Sequence, residues 1–134
     1  MTKPEIRIND ETRMTKERPY DLEERTAVFG EEIIAFARKV PEDTVTRPLI
    51  GQLVRCGTSV GANYCEADDC ESRKDFAHKI GICRRESRET KFQIRMIVAA
   101  VPALKGDARP LWQEAKELNL IFGAIRRSCG GSRK

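Results

Sequence analysis

The sequence predicts an all-α fold, an up-down-up-down four-helix bundle, on three observations. Apolar residues recur at alternating steps of three and four through residues 21–130, the spacing of a buried helical stripe. Proline, glycine and capping residues cut this run into four segments of about twenty residues or more, each roughly 30 Å long at 1.5 Å per residue. The links, near 41–46, 69–72 and 102–107, are short enough to force antiparallel neighbours. Residues 21–130 hold no strand-like alternation of useful length.

The elements follow in order. Residues 1–20 are polar, with charges of both signs, and read as a flexible arm in which Ile6 and Ile8 permit a short extended stretch. Asp21 is the expected cap of the first helix, with Glu24 completing a capping box. Leu22, Thr26, Phe29, Ile33, Phe36 and Val40 form its stripe, and Pro41 stops it. Thr46 is the expected cap of the second helix, with Pro48 in its first turn. Its stripe is Ile50, Leu53, Gly57, Val60, Tyr64 and Ala67. Ser72 opens the third, with Asp75 at the capping-box position. Phe76, Ile80, Cys83, Ser87, Thr90, Ile94, Ile97 and Val101 make up its stripe, ended by Pro102. Asp107 is the expected cap of the fourth, with Pro110 in its first turn. Leu111, Ala115, Leu118, Phe122, Ile125 and Cys129 keep the period, and Gly130 and Gly131 terminate it. Residues 131–134 make a short basic tail.

Composition narrows the function classes. Charged residues are 34% and aromatic residues 6%, as in a soluble helical protein. The longest apolar run, Ile97 to Val101, is far too short to span a bilayer. Met1-Thr2-Lys3-Pro4 leads into polar sequence rather than an apolar leader, so a cytoplasmic protein is expected, with no membrane partner. The five cysteines, an odd number with no C-x-x-C, do not make a disulfide framework, and with the single His78 they give no zinc spacing. No metal or cofactor is expected. A net charge of +4 permits a nucleic-acid partner without demanding one.

One motif suggests an enzyme. Gly57-Thr58-Ser59-Val60-Gly61 matches G-x-S-x-G, the nucleophile elbow of serine hydrolases. An elbow needs a preceding strand and an acid-supported histidine. Here the motif lies inside a helical heptad pattern, with His78 on the next helix as the one base available. A packing role fits better. Gly57 and Gly61 share a helical face, and Thr58 and Ala62 form a second small pair beside them. Each mid-helix glycine costs about 1 kcal/mol relative to alanine, which suggests close approach of other helices. Small residues over so wide an arc, together with Trp112 off the core row of the fourth helix, point to a contact with a second subunit.

The run from Val54 to Phe92, "VRCGTSVGANYCEADDCESRKDFAHKIGICRRESRETKF", resembles the bacterial four-helix-bundle proteins encoded in intervening sequences of 23S ribosomal RNA genes. The resemblance rests on Gln52-Leu53, Arg55, Gly57-Thr58-Ser59, Gly61-Ala62-Asn63-Tyr64, Glu66-Ala67, Ser72, Lys74-Asp75-Phe76, His78-Lys79, Glu86 and Arg88-Glu89-Thr90-Lys91, and weakly covers about residues 20–128. Arg84-Arg85, the extra cysteines and the long N-terminal arm depart from it. The resemblance implies a ring of five subunits and no enzymatic activity. It also implies a fold like that of the accessory variability proteins of diversity-generating retroelements, whose partners are nucleic acid and a reverse transcriptase.

The third helix carries the clearest functional signal. Eight basic residues and three acids lie between Arg73 and Arg95. Arg84, Arg88, Lys91 and Arg95 form one stripe, with Arg85 beside it, suited to phosphate contacts without base specificity. The same stripe could instead pair with Glu66, Asp68, Asp69 and Glu71, or with Glu23, Glu24, Glu31 and Glu32, within or between subunits. The expectation is a non-enzymatic homopentamer that binds RNA or DNA as an accessory protein. The alternative is a structural or protein-binding scaffold.

Overall fold

The computed structural model describes residues 21–131, with side chains through Cys129. The expected N-terminal arm and the last three residues of the basic tail lie outside this range. The helices are α1 (Leu22–Arg38), α2 (Thr46–Asp68), α3 (Arg73–Ala100) and α4 (Lys105–Gly131), with a 3-10 turn at Pro102–Leu104 leading into α4. They pack as an up-down bundle. α3 lies against both α2 and α4 along its length, α1 packs mainly on α2, and the α1–α4 seam is sparse.

The heptad stripes form the core. All six stripe residues of α1 and the link after it, from Leu22 to Val40, are buried. So are Leu53, Val60 and Ala67 of α2, Ile80, Cys83, Ile94 and Ile97 of α3, and Leu111, Ala115, Leu118 and Phe122 of α4. Stripe positions nearer the bundle ends, such as Ile50, Phe76 and Ile125, are half-buried. Three hydroxyls are buried within this apolar set, and each is satisfied inside its own helix. Thr26 donates to the Leu22 carbonyl (2.6 Å), Ser87 to Cys83 (2.9 Å) and Thr90 to Glu86 (2.7 Å).

The helix starts differ from expectation at three of four places. Ser72 caps α3 as expected, its hydroxyl accepting from the Asp75 N–H at 3.0 Å. Asp21 stands at the start of α1, but its side chain makes no cap bond. The cap of α2 is Asp43 rather than Thr46. The Asp43 carboxylate accepts from the Val45 and Thr46 N–H groups, both at 2.8 Å. The Thr46 hydroxyl accepts from the Asp43 N–H at 2.9 Å and donates to the Pro41 carbonyl at 2.6 Å. The two residues satisfy each other as a capping box does. α4 begins at Lys105, before Asp107, so Pro110 lies inside the helix rather than at its opening. Asp107 pairs instead with Lys39 at the end of α1 (3.3 Å). The helical assignment of α4 also runs through Gly130 and Gly131.

Gly57 and Gly61 are used against α1 of the same chain. A Cβ on Gly57 would stand 2.8 Å from Ile33 Cγ2, and one on Gly61 would stand 3.1 Å from Thr26 Oγ1 and 3.3 Å from the Thr26 carbonyl oxygen. For these two residues, the close approach expected between subunits is made within the subunit. Gly51, in the same helix, has nothing within 4 Å of such a Cβ.

Two predictions follow from these contacts. In urea denaturation Gly51→Ala gains up to about 1 kcal/mol from helix propensity, whereas Gly57→Ala loses about 1–3 kcal/mol from overpacking. Equal effects at the two positions would refute the packing role of Gly57. The second concerns acid. The N–H groups of Thr46 and Val45 hold the Asp43 carboxyl below its ordinary value. Its stabilising effect is therefore present above about pH 4, the unfolded value, and is lost as pH falls through the lowered folded value. The melting temperature of Asp43→Ala lies below wild type at neutral pH, and the gap closes in acid. A gap constant with pH would exclude the cap.

Candidate nucleic-acid interface

α3 has two packed sides, and its charges are sorted between them. Glu86 and Glu89 face α2, where Arg55 reaches Glu89 at 2.8 Å and Glu86 at 3.5 Å. The hydrogen bond that Arg55 donates to Glu89 is the chief reason that it holds its proton more firmly than usual. Lys79, also on this side, pairs with Glu66. Arg84, Lys91 and Arg95 lie along the α4 side. The acids of α4 that could meet them turn the other way. Glu114 takes Arg25 of α1 in a two-pronged contact (2.7 and 2.9 Å), and Glu117 takes the same guanidinium at 3.0 Å. These carboxylates raise the pKa of Arg25, the Glu114 hydrogen bond first among them.

The basic stripe is consequently left over. Among the described residues no acid pairs with Arg84, Arg85, Arg88, Arg95 or Arg126. Of the acidic cluster after Tyr64, only Glu66 has an ion pair among the described residues, and that is with Lys79. Among the described residues, then, the arginines of the stripe have no acid paired with them within the subunit.

Two glycines shape what the arginines form. A Cβ on Gly81 of α3 would stand 2.8 Å from Arg126 Nε, and one on Gly123 of α4 would stand 3.4 Å from Arg84 Nε. Each helix thus lays an arginine across the other's glycine. The Asn119 side chain adds a bond to the Arg84 carbonyl at 2.9 Å. Between them lies a groove of about 230 Å³, lined by His78, Gly81, Arg84, Arg85, Arg88 and Arg126. Four guanidiniums in one groove offer a planar, multi-donor cradle for phosphate oxygens.

The expected site residues divide among three places. Arg84, Arg85 and Arg88 share this groove, while Lys91 and Arg95 lie farther along the same seam. Trp112 is there too, with Lys91 Nζ 5.2 Å and Lys116 Nζ 5.7 Å from its ring centre. Gly57, Thr58, Gly61 and Ala62 belong to α2 and its α1 side, so the expected oligomer contact set is split. Thr58 and Ala62 line a hollow of about 400 Å³ between α1 and α2, walled by Glu23, Glu24 and Glu31. Arg126, Gly81, Gly123 and Lys116 were not legible as site residues, because the short link makes α3 and α4 neighbours but does not say which of their residues meet across the seam.

The hydrolase motif has no elbow geometry. Ser59 lies mid-way along α2, and its hydroxyl and carbonyl both accept from Asn63 Nδ2 at 2.9 Å. His78 lines the arginine groove. None of the five cysteines forms a disulfide. Burial pushes the Cys83 thiol up to about 12 and raises Cys56 as well, so neither is a ready nucleophile. Among the described residues no group of three His, Cys, Asp or Glu could hold a metal ion, and no helix is long and apolar enough to cross a membrane.

Comparison with known proteins agrees with the architecture. A crystal structure of a protein of unknown function from the S23 ribosomal protein family of Bacteroides thetaiotaomicron superposes with a TM-score of 0.70. It is 23% identical, and the match covers 78% of this chain and 97% of that one. No curated protein matches the chain. The model of the 23S rRNA-intervening sequence protein family matches residues 20–123. With most of its length and three of its four helices wholly inside that match, the chain belongs to the 23S rRNA-intervening sequence protein family.

Proposed function

We propose that the chain is a non-enzymatic accessory protein that binds nucleic acid through phosphates held in the α3–α4 arginine groove. The observation that carries this reading is the convergence of Arg84, Arg85, Arg88 and Arg126, with no acid among the described residues paired to any of them. Unpaired cations held near one another repel. A polyanion that binds them relieves that repulsion and releases counterions. The family description, an intervening sequence of ribosomal RNA, makes RNA the first partner to try.

Fluorescence anisotropy of a labelled RNA strand tests the proposal. Binding should be measurable near 50 mM salt and fall steeply above it, with a log–log slope of about −3 if four arginines each take a phosphate. Gly81→Ala separates this role from folding. The alanine strengthens the helix by up to about 1 kcal/mol, and its Cβ displaces the flexible Arg126 side chain. Stability should hold or rise while RNA affinity falls and the slope flattens. No binding at low salt, or undiminished affinity in Gly81→Ala and in the Arg84→Ala/Arg88→Ala double variant, would refute the groove.

The assembly is part of the same proposal: a homo-oligomer, the ring of five that the family resemblance implies. The acidic hollow between α1 and α2 and the arginine groove between α3 and α4 are opposite in charge and lie on different seams. Head-to-tail joining of such patches closes into a ring where the rotation allows it, but it would occupy the groove, so this complementarity favours the alternative reading, a scaffold whose arginines are consumed at subunit contacts. Light scattering decides between assembly and monomer. A mass near 15.2 kDa at micromolar concentration would exclude any oligomer, and a ring that binds no RNA would favour the scaffold.

A further inference from the structure

A second hollow lies on the α3–α4 seam, and its chemistry differs from that of the groove. Its volume is about 450 Å³, within the range of small-molecule sites. Ile94, Val98 and Ala108 give it apolar walls, and Trp112 gives it an aromatic one. Arg95, Lys105 and Arg109 stand around these walls, and Gln113 brings an amide able both to donate and to accept. Arg84 and Arg95 are eleven positions apart on one helix, which puts the hollow roughly 16 Å along the seam from the groove.

Phosphates alone have no use for apolar walls and an indole. A flat, heteroaromatic group carried on a polyanion uses both, since it can stack on the aromatic wall while its phosphates meet the basic rim. Only unpaired bases are free to do so, because a duplex keeps its bases stacked inside. We infer that the hollow beside Trp112 takes a nucleobase from a single strand whose backbone continues into the arginine groove. The chain therefore discriminates single-stranded from double-stranded nucleic acid. This inference rests on the function proposed above.

The experiment uses the chain's one tryptophan. Short unstructured RNA and DNA strands, a duplex of equal length, and inorganic polyphosphate are titrated into the protein. Binding is followed by anisotropy of labelled nucleic acid, with polyphosphate competing for it, while Trp112 emission is read in parallel. The expected result is quenching by a single strand with the same midpoint as its anisotropy change, and little quenching by duplex or polyphosphate at saturation. Trp112→Leu should weaken single-strand binding roughly tenfold while the polyphosphate midpoint is unchanged, with a thermal melt confirming the fold. Gln113→Ala, an exposed position, should weaken single strands alone if the Leu variant does not fold. Binding without selective quenching would overturn the base pocket and leave the phosphate groove standing. No binding by any nucleic acid would overturn both.

Discussion

α3 is held by α2 on one side and α4 on the other along its length, and the charge of the molecule is arranged around that constraint. Its stripe from Ile80 to Ile97 supplies the centre of the core. Its polar residues must then divide between a seam with α2 and a seam with α4. The division is by sign: carboxylates go to Arg55, and guanidiniums go toward a helix whose own acids are taken by Arg25. A single placement on α2, Arg55, and a single placement on α1, Arg25, thereby decide that the third seam carries uncompensated positive charge. The electrostatic character of the candidate site is set by residues that do not line it.

Glycine does different work at the two ends of this scheme. At Gly57 and Gly61 the missing side chain admits Ile33 and Thr26, and the gain is close packing of α1 on α2. At Gly81 and Gly123 it admits the guanidinium ends of Arg126 and Arg84, whose Nε atoms lie closest to the two glycines. The first pair serves cohesion. The second fixes where cations stand, at a cost in helix propensity that apolar packing alone would not require.

The fold was legible because its signal is local and periodic. Steps of three and four marked nearly every buried position, and Pro41 and Pro102 marked two of the breaks. The starts were less legible where two residues compete for one role. Asp43 and Thr46 are both good caps, and only the path of the backbone after Pro41 shows which N–H groups are presented to which side chain. Half of the candidate site was legible on the same terms. Arg84, Arg85 and Arg88 stand out as a stripe, but whether a stripe is free or paired depends on partners far along the chain. Arg126 lies 42 positions from Arg84, and nothing in its own neighbourhood marks it. The small residues of α2 misled in the opposite sense: a wide arc of them is equally the mark of an outer contact and of one inner helix approaching closely. Trp112 was legible as unusual and not as part of a hollow, because the walls that face it come from α3.

The sparse seam between α1 and α4 has a consequence for how the chain comes together. The other three seams join helices adjacent in sequence, so they can form without closing a long loop. The pairings that close the α1–α4 seam are long: Arg25 with Glu114 spans 89 positions, Arg25 with Glu117 spans 92, and Lys39 with Asp107 spans 68. Loop-closure entropy therefore falls on the seam with the least packing to offset it. Low contact order of this kind is the property that goes with rapid folding among helical domains, and here it comes from the same short links that make the helices antiparallel.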